Sequence, residues 1–130
     1  MSTQNTSNQD NLFIQLGGQP AVDAAVDIFY RKILTDSILA PFFSDMDMDR
    51  QIKKQKAFLT MAFGGPNKYN GKTMRLAHAK MVKEQGLSDV HFDAVARHLK
   101  ESLEELSVPA HLIEAVMQIA AGTRQDVLNR

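Results

Sequence analysis

At 130 residues the chain is long enough for one folded domain and hardly for two. It has no cysteine, which excludes disulfides, thiolate zinc sites, cysteine nucleophiles and covalent cofactor attachment through sulfur. Lys plus Arg and Asp plus Glu number 15 each, so the formal charge is zero. The basic excess of a nucleic-acid binder is missing, and net charge alone gives no steering argument for any partner.

The first eleven residues are rich in Ser, Thr, Asn and Gln and carry neither the positive start nor the apolar run of a secretory leader. They read as a solvated polar tail, 1–11, ahead of a domain over 12–130. No apolar run approaches the roughly 18 residues needed to cross a bilayer. A cytoplasmic protein with no membrane partner is expected.

Pro20 follows Gly17-Gly18 and suits the first turn of a helix. Val22, Ala25, Val26, Phe29, Tyr30, Ile33 and Leu34 then recur at three-to-four spacing, the apolar stripe of an amphipathic helix. Asp36, Ser37 and Pro41 interrupt it with a turn that carries Phe42 and Phe43. A second helix is predicted over about Met48–Phe63, its inward face formed by Gln51, Gln55, Phe58, Leu59 and Ala62, with Gly64-Gly65-Pro66 ending it. Asn67–Lys72 reads as loop and Thr73–Lys83 as a weaker helix closed by Gly86. Ser88 is a candidate N-cap for a long helix bearing Phe92, Val95, Ala96, Leu99, Leu103 and Leu106. Pro109 opens a last helix to about Leu128. The chain contains no convincing strand, so the fold class is all-α, with five or six helices.

Four histidines, His78, His91, His98 and His111, are the candidate metal ligands. A lone histidine on a helix is more often a surface or hydrogen-bonded residue, and spacing does not select among the four. His91 and His98 share a helix face, but no third donor accompanies them. Gln51 and Gln55 are the anomaly. They fall on an apolar face, where burying an unpaired amide costs about 1–3 kcal/mol. Either they face water or they line a cavity with something to bind; Tyr30 raises the same question.

The segments Leu16-Gly17-Gly18, AVDAAVDIFY (21–30), Phe42-Phe43, QKAFLTMAFGG (55–65), MRLAH (74–78), HFDAVA (91–96) and DVLN (126–129) resemble group I truncated haemoglobins, particularly cyanobacterial and green-algal members. The likeness covers about residues 12–129. It implies a truncated globin, a two-over-two helical sandwich holding haem b, with His78 as the proximal iron ligand. It implies Phe43 packed on the porphyrin and Tyr30, Gln51 and Gln55 as distal donors to bound dioxygen, Tyr30 first. Phe58, Met61, Met74, Phe92 and Val95 are expected to wall the haem, with plain core packing the competing reading of each.

Lys54 stands where some relatives carry a distal histidine, and the resemblance suggests that its amine ligates the iron when no gas is bound. The competing reading is a lysine at the pocket rim. Thr123 stands where another relative attaches haem covalently through histidine, so no covalent bond is expected there. The family implies dioxygen, nitric oxide and carbon monoxide as ligands, nitric oxide dioxygenase activity, a separate reductase and a monomer. Alternatives are oxygen storage or transport, electron transfer or redox sensing, and, from another class, a cofactor-free helical interaction module.

Overall fold

A computed structural model describes residues 8–44, 47–65 and 71–130. Seven α-helices occur among them: α1 (Asn8–Leu16), α2 (Gly18–Leu34), α3 (Met48–Ala62), α4 (Gly71–Gln85), α5 (Asp89–Glu105), α6 (Ala110–Ala121) and α7 (Arg124–Val127). A 3-10 turn, Ala40–Phe43, links α2 to α3. The described residues contain no strand.

Four helices make the body. α2 packs on both α3 and α5, and α6 closes the square by packing on α5 and α3. The apolar stripes read from the sequence face its centre: Val22, Val26, Phe29 and Ile33 from α2, Leu59 and Ala62 from α3, Leu99 and Leu103 from α5, Ile113 and Val116 from α6; of the α5 stripe, Phe92 packs in a second cluster and Leu106 is exposed. Burying such side chains contributes roughly 1.5–3 kcal/mol each, which is why their spacing decides the helix faces. This is the two-layer, two-over-two sandwich.

Local chemistry sets the ends. Asp47 caps α3, its carboxylate accepting from the N–H groups of Asp49 at 3.0 Å and Arg50 at 3.3 Å. Gly17, with φ of 113°, lets the chain turn from α1 into α2. A Cβ on Gly65 would lie 2.5 Å from the Phe13 ring, so the end of α3 can approach α1 only with glycine there. At the start of α5, the ring of His91 takes the part of a capping-box acid: its Nδ1 accepts from the Ser88 N–H at 3.0 Å.

The structure differs from the sequence reading at both ends. α1 begins at Asn8, inside the stretch read as tail; residues 1–7 of that stretch lie outside the described residues. Most of the loop read over Asn67–Lys72 lies outside them too. The last helix breaks at Gly122-Thr123, where the buried Thr123 hydroxyl donates to the Ala120 carbonyl at 2.6 Å and closes the turn. The short α7 is thereby turned onto α4. Val127 and Leu128 pack with Met74 and Phe92 in a second apolar cluster. Arg75 bonds Asp126 at 3.2 Å and the Arg130 carbonyl at 3.2 Å, Asn129 donates to the Arg75 carbonyl at 3.1 Å, and Arg124 lies 4.5 Å over the Phe92 ring. α4 is therefore held chiefly by the C-terminal segment.

Between α2 and α5 the nearly buried Asp36 accepts from His98 Nε2 at 2.7 Å and from the Ile38 N–H at 2.9 Å. The His98 hydrogen bond, foremost, holds the Asp36 carboxyl below the usual carboxylate range. A depressed carboxylate contributes stability that is full above its ordinary value of 3.8 and is lost as the pH falls through the lower folded value. Asp36→Ala is expected to cost about 2 kcal/mol in urea unfolding at neutral pH. The native and variant curves should converge in strong acid; a gap that persists there would mean the loss is packing alone.

Candidate functional site

The square of helices leaves a cavity between α3 and α4, floored by α5. It offers about 110 Å³ to water-sized occupants and about 820 Å³ once its open mouth is counted. α3 contributes Gln51, Lys54, Gln55 and Phe58, and α4 contributes Ala77, His78 and Met81. Phe43 comes from the 3-10 turn, and Phe92 and Val95 come from α5. Eight of the eleven residues singled out in the sequence thus meet in one wall.

The other three stand back. Met74 and Met61 belong to the cluster behind α4. Tyr30 is buried, packs edge-on against Phe43 with ring centroids 6.0 Å apart, and lines a separate cleft with Val26, Asp27, Arg31 and Ile52. Its hydroxyl donates to the Met48 sulfur at 3.4 Å, a weak acceptor. Burial pushes the phenol up, so it remains an O–H donor. Sequence reasoning missed Leu39, Phe42, Ala77, Met81, Leu87, His91 and Val127 in the wall, the connector and terminal residues among them most of all. Only the tertiary fold brings these connector and terminal residues to the cavity.

Two histidines reach the cavity, His78 and His91, and their second ring nitrogens tell them apart. His78 Nδ1 lies 2.8 Å from the Met74 carbonyl. A carbonyl only accepts, so the proton sits on Nδ1 and Nε2 keeps a free lone pair. His91 Nδ1 accepts from a backbone N–H, which only donates, so its proton sits on Nε2 and no lone pair remains there for a metal. Desolvation, foremost, and then the positive charge of Lys54 lower the His78 pKa against the opposing Met74 hydrogen bond. A neutral imidazole oriented by a backbone carbonyl is the arrangement of a metal-ligating histidine.

His98 is committed to Asp36 and His111 is exposed on α6, so neither joins the site. No cluster of three or more His, Asp or Glu able to hold a bare metal ion occurs among the described residues. Across the cavity, Gln51 is only 7% exposed and has no hydrogen-bond partner among the described residues. The anomaly in the sequence is thus a cavity-lining amide that still has bonds to give. One ligating imidazole, unspent polar groups opposite it and aromatic walls suit a planar metal-bearing cofactor.

The profile of the bacterial-like globins matches residues 11–129. The chain is 49% identical over 121 residues to the group 1 truncated haemoglobin GlbN of Synechocystis, covering 92% of this chain and 98% of the relative. It is 48% identical over 119 residues to the group 1 truncated haemoglobin LI410 of Chlamydomonas moewusii, covering 92% and 68%. Among solved structures it resembles the 2/2 haemoglobin of Synechococcus, with TM-score 0.85 and 47% identity over 92% of this chain and 98% of that one. That protein was captured in the cyanomet state with covalently attached haem. THB1 of Chlamydomonas reinhardtii aligns with TM-score 0.81 and 43% identity, covering 89% and 94%. The chain thus belongs to the group 1 truncated haemoglobins of the bacterial-like globin family, whose haem binds diatomic gases.

Proposed function

We propose that the protein holds haem b without a covalent bond, binds dioxygen, nitric oxide and carbon monoxide, and oxidises nitric oxide to nitrate. The observation that carries this reading is the pairing of His78, its Nε2 lone pair free, with Gln51 and Gln55 on the opposite wall. When bound, the haem supplies a ferrous iron at which dioxygen and nitric oxide combine to nitrate, the iron giving up one electron to become ferric. His78 holds the iron as a neutral base. Gln51, Gln55 and Tyr30 would supply N–H and O–H donors toward a dioxygen held in the pocket, and donors in a water-poor pocket act there at full strength. Phe43, Phe58, Phe92 and Val95 keep water away from the reacting centre. Thr123 spends its hydroxyl on the Ala120 carbonyl and has no nucleophilic nitrogen, in keeping with haem that is not covalently attached.

The deciding experiment mixes the oxygenated protein with nitric oxide in a stopped-flow instrument. A rapid ferric product with stoichiometric nitrate is expected; a persistent oxygenated spectrum would sink the reading. The electrons must then return from a separate reductase.

Lys54 is proposed as the ligand of the sixth iron position when no gas is present. It lines the same cavity as His78, its charge is felt at His78, and it has no ion-pair partner among the described residues. A neutral amine has a lone pair for iron, so loss of the gas should bring a transition to low-spin absorption bands. Lys54→Ala should abolish that transition; a variant spectrum that still follows the native one would remove Lys54 from the iron.

A further inference from the structure

The zero net charge of the chain conceals a separation of charge that the fold arranges around the cavity. α3 and α4, the two walls of its mouth, together carry eight basic and two acidic side chains, a net of six positive charges. α5, which floors the cavity, and α6 together carry six acidic and two basic ones. Ion pairs engage both groups: on α5, Asp89, Asp93, Glu101 and Glu105 are all paired. Lys56 is paired with Asp23 and Arg75 with Asp126. Arg50, Lys53, Lys54, Lys72, Lys80 and Lys83 have no ion-pair partner among the described residues, and all six are exposed.

Position gives these charges meaning. Arg50 and Lys54 lie one turn apart on α3, beside the cavity-lining Gln51 and Gln55. Lys80 and Lys83 follow His78 on α4 by two and five residues. Charges this close act jointly, since screening at physiological salt extends over about 8 Å. The propionates of a haem would neutralise only part of the field.

We propose that this basic rim is the docking surface for an acidic electron-transfer protein, which returns one electron to the ferric iron and is itself oxidised by one electron. The inference rests on the nitric oxide reading only in needing a ferric product to reduce. A protein with a compact acidic patch fits better than a nucleic acid or an anionic membrane. Those extended polyanions would run beyond the mouth, whereas a patch the size of the mouth meets the six unpaired bases of α3 and α4 together. Docking there also brings the donor to the opening through which the haem is reached.

The test reduces the ferric haem protein with a reduced acidic [2Fe–2S] ferredoxin in a stopped-flow instrument while ionic strength is varied. Reduction should slow by about tenfold or more between low and high salt, in line with electrostatic steering. The triple variant Lys53→Glu, Lys80→Glu, Lys83→Glu spares the cavity wall. At low salt it should lose about tenfold in rate and most of the salt dependence, yet keep the native spectrum and the native rate with an uncharged photoreduced flavin.

Calorimetric titration with ferredoxin reads the complex directly, whether or not nitric oxide is oxidised, so the two proposals fail separately. A rate that ignores both salt and charge reversal would overturn the assignment. So would binding to vesicles of anionic phospholipid with no measurable binding to ferredoxin.

Discussion

Replacing His78 by glycine is expected to weaken haem retention by at least about a hundredfold, and exogenous imidazole should restore much of it by filling the vacated space. The placement of one proton on each of two rings sets them apart. His78 and His91 both line the cavity, but only His78 donates from Nδ1, to the Met74 carbonyl at 2.8 Å. That leaves Nε2 as a base. His91→Gly removes the ring that accepts the Ser88 N–H and packs edge-on to Phe42 at 4.9 Å, so it should fray the start of α5 and yet preserve the iron's axial ligand. The measurement is the absorption spectrum and haem-transfer rate of each variant. A native spectrum from His78→Gly without added imidazole would move the ligand to another residue.

The second large effect should come from Gln51, in opposite directions on stability and function. Its amide lines the cavity without a partner among the described residues and keeps some exposure there, so it costs the haem-free fold less than the roughly 1–3 kcal/mol of a fully buried unpaired amide. Gln51→Leu should therefore stabilise the haem-free protein by about 1 kcal/mol in urea unfolding. The same change removes a donor to bound dioxygen. A hydrogen bond to a charged acceptor is worth about 1.5–3 kcal/mol, so dioxygen should dissociate roughly ten- to a hundredfold faster. Tyr30→Phe provides the comparison. The Tyr30 hydroxyl is held only by the Met48 sulfur and can be drawn to a stronger acceptor at little cost. If Tyr30 and Gln51 act on one ligand, the double variant should lose less than the two single losses combined. Unchanged dissociation in Gln51→Leu would show that this glutamine plays no distal part.

Much of this architecture is legible in the residue order because helix periodicity is a local property. The stripes Val22-Val26-Phe29-Ile33 and Leu99-Leu103 can bury themselves in only one helical phase, and the structure places both at the centre. The polar anomaly was legible for the same reason. Gln51 stands where the stripe calls for an apolar side chain, and a buried amide with no partner marks a cavity better than another leucine does. The ends were less legible. The start of α1 at Asn8 has no apolar stripe to announce it, and the break at Gly122-Thr123 depends on a side-chain hydrogen bond and on α7 finding α4.

The sequence by itself determined α2 to α6, most of their buried faces, the family resemblance and the candidate residues, since each depends on side-chain identity at short spacing. It left His78 and His91 equivalent as isolated histidines and gave a total charge of zero. The tertiary structure decided both questions. Whether a ring nitrogen meets a carbonyl or an N–H depends on backbone geometry, and that choice fixes which nitrogen keeps a lone pair. Whether equal numbers of charges cancel depends on where helices pack, and here α3 and α4 bring the positive ones to the mouth of the cavity.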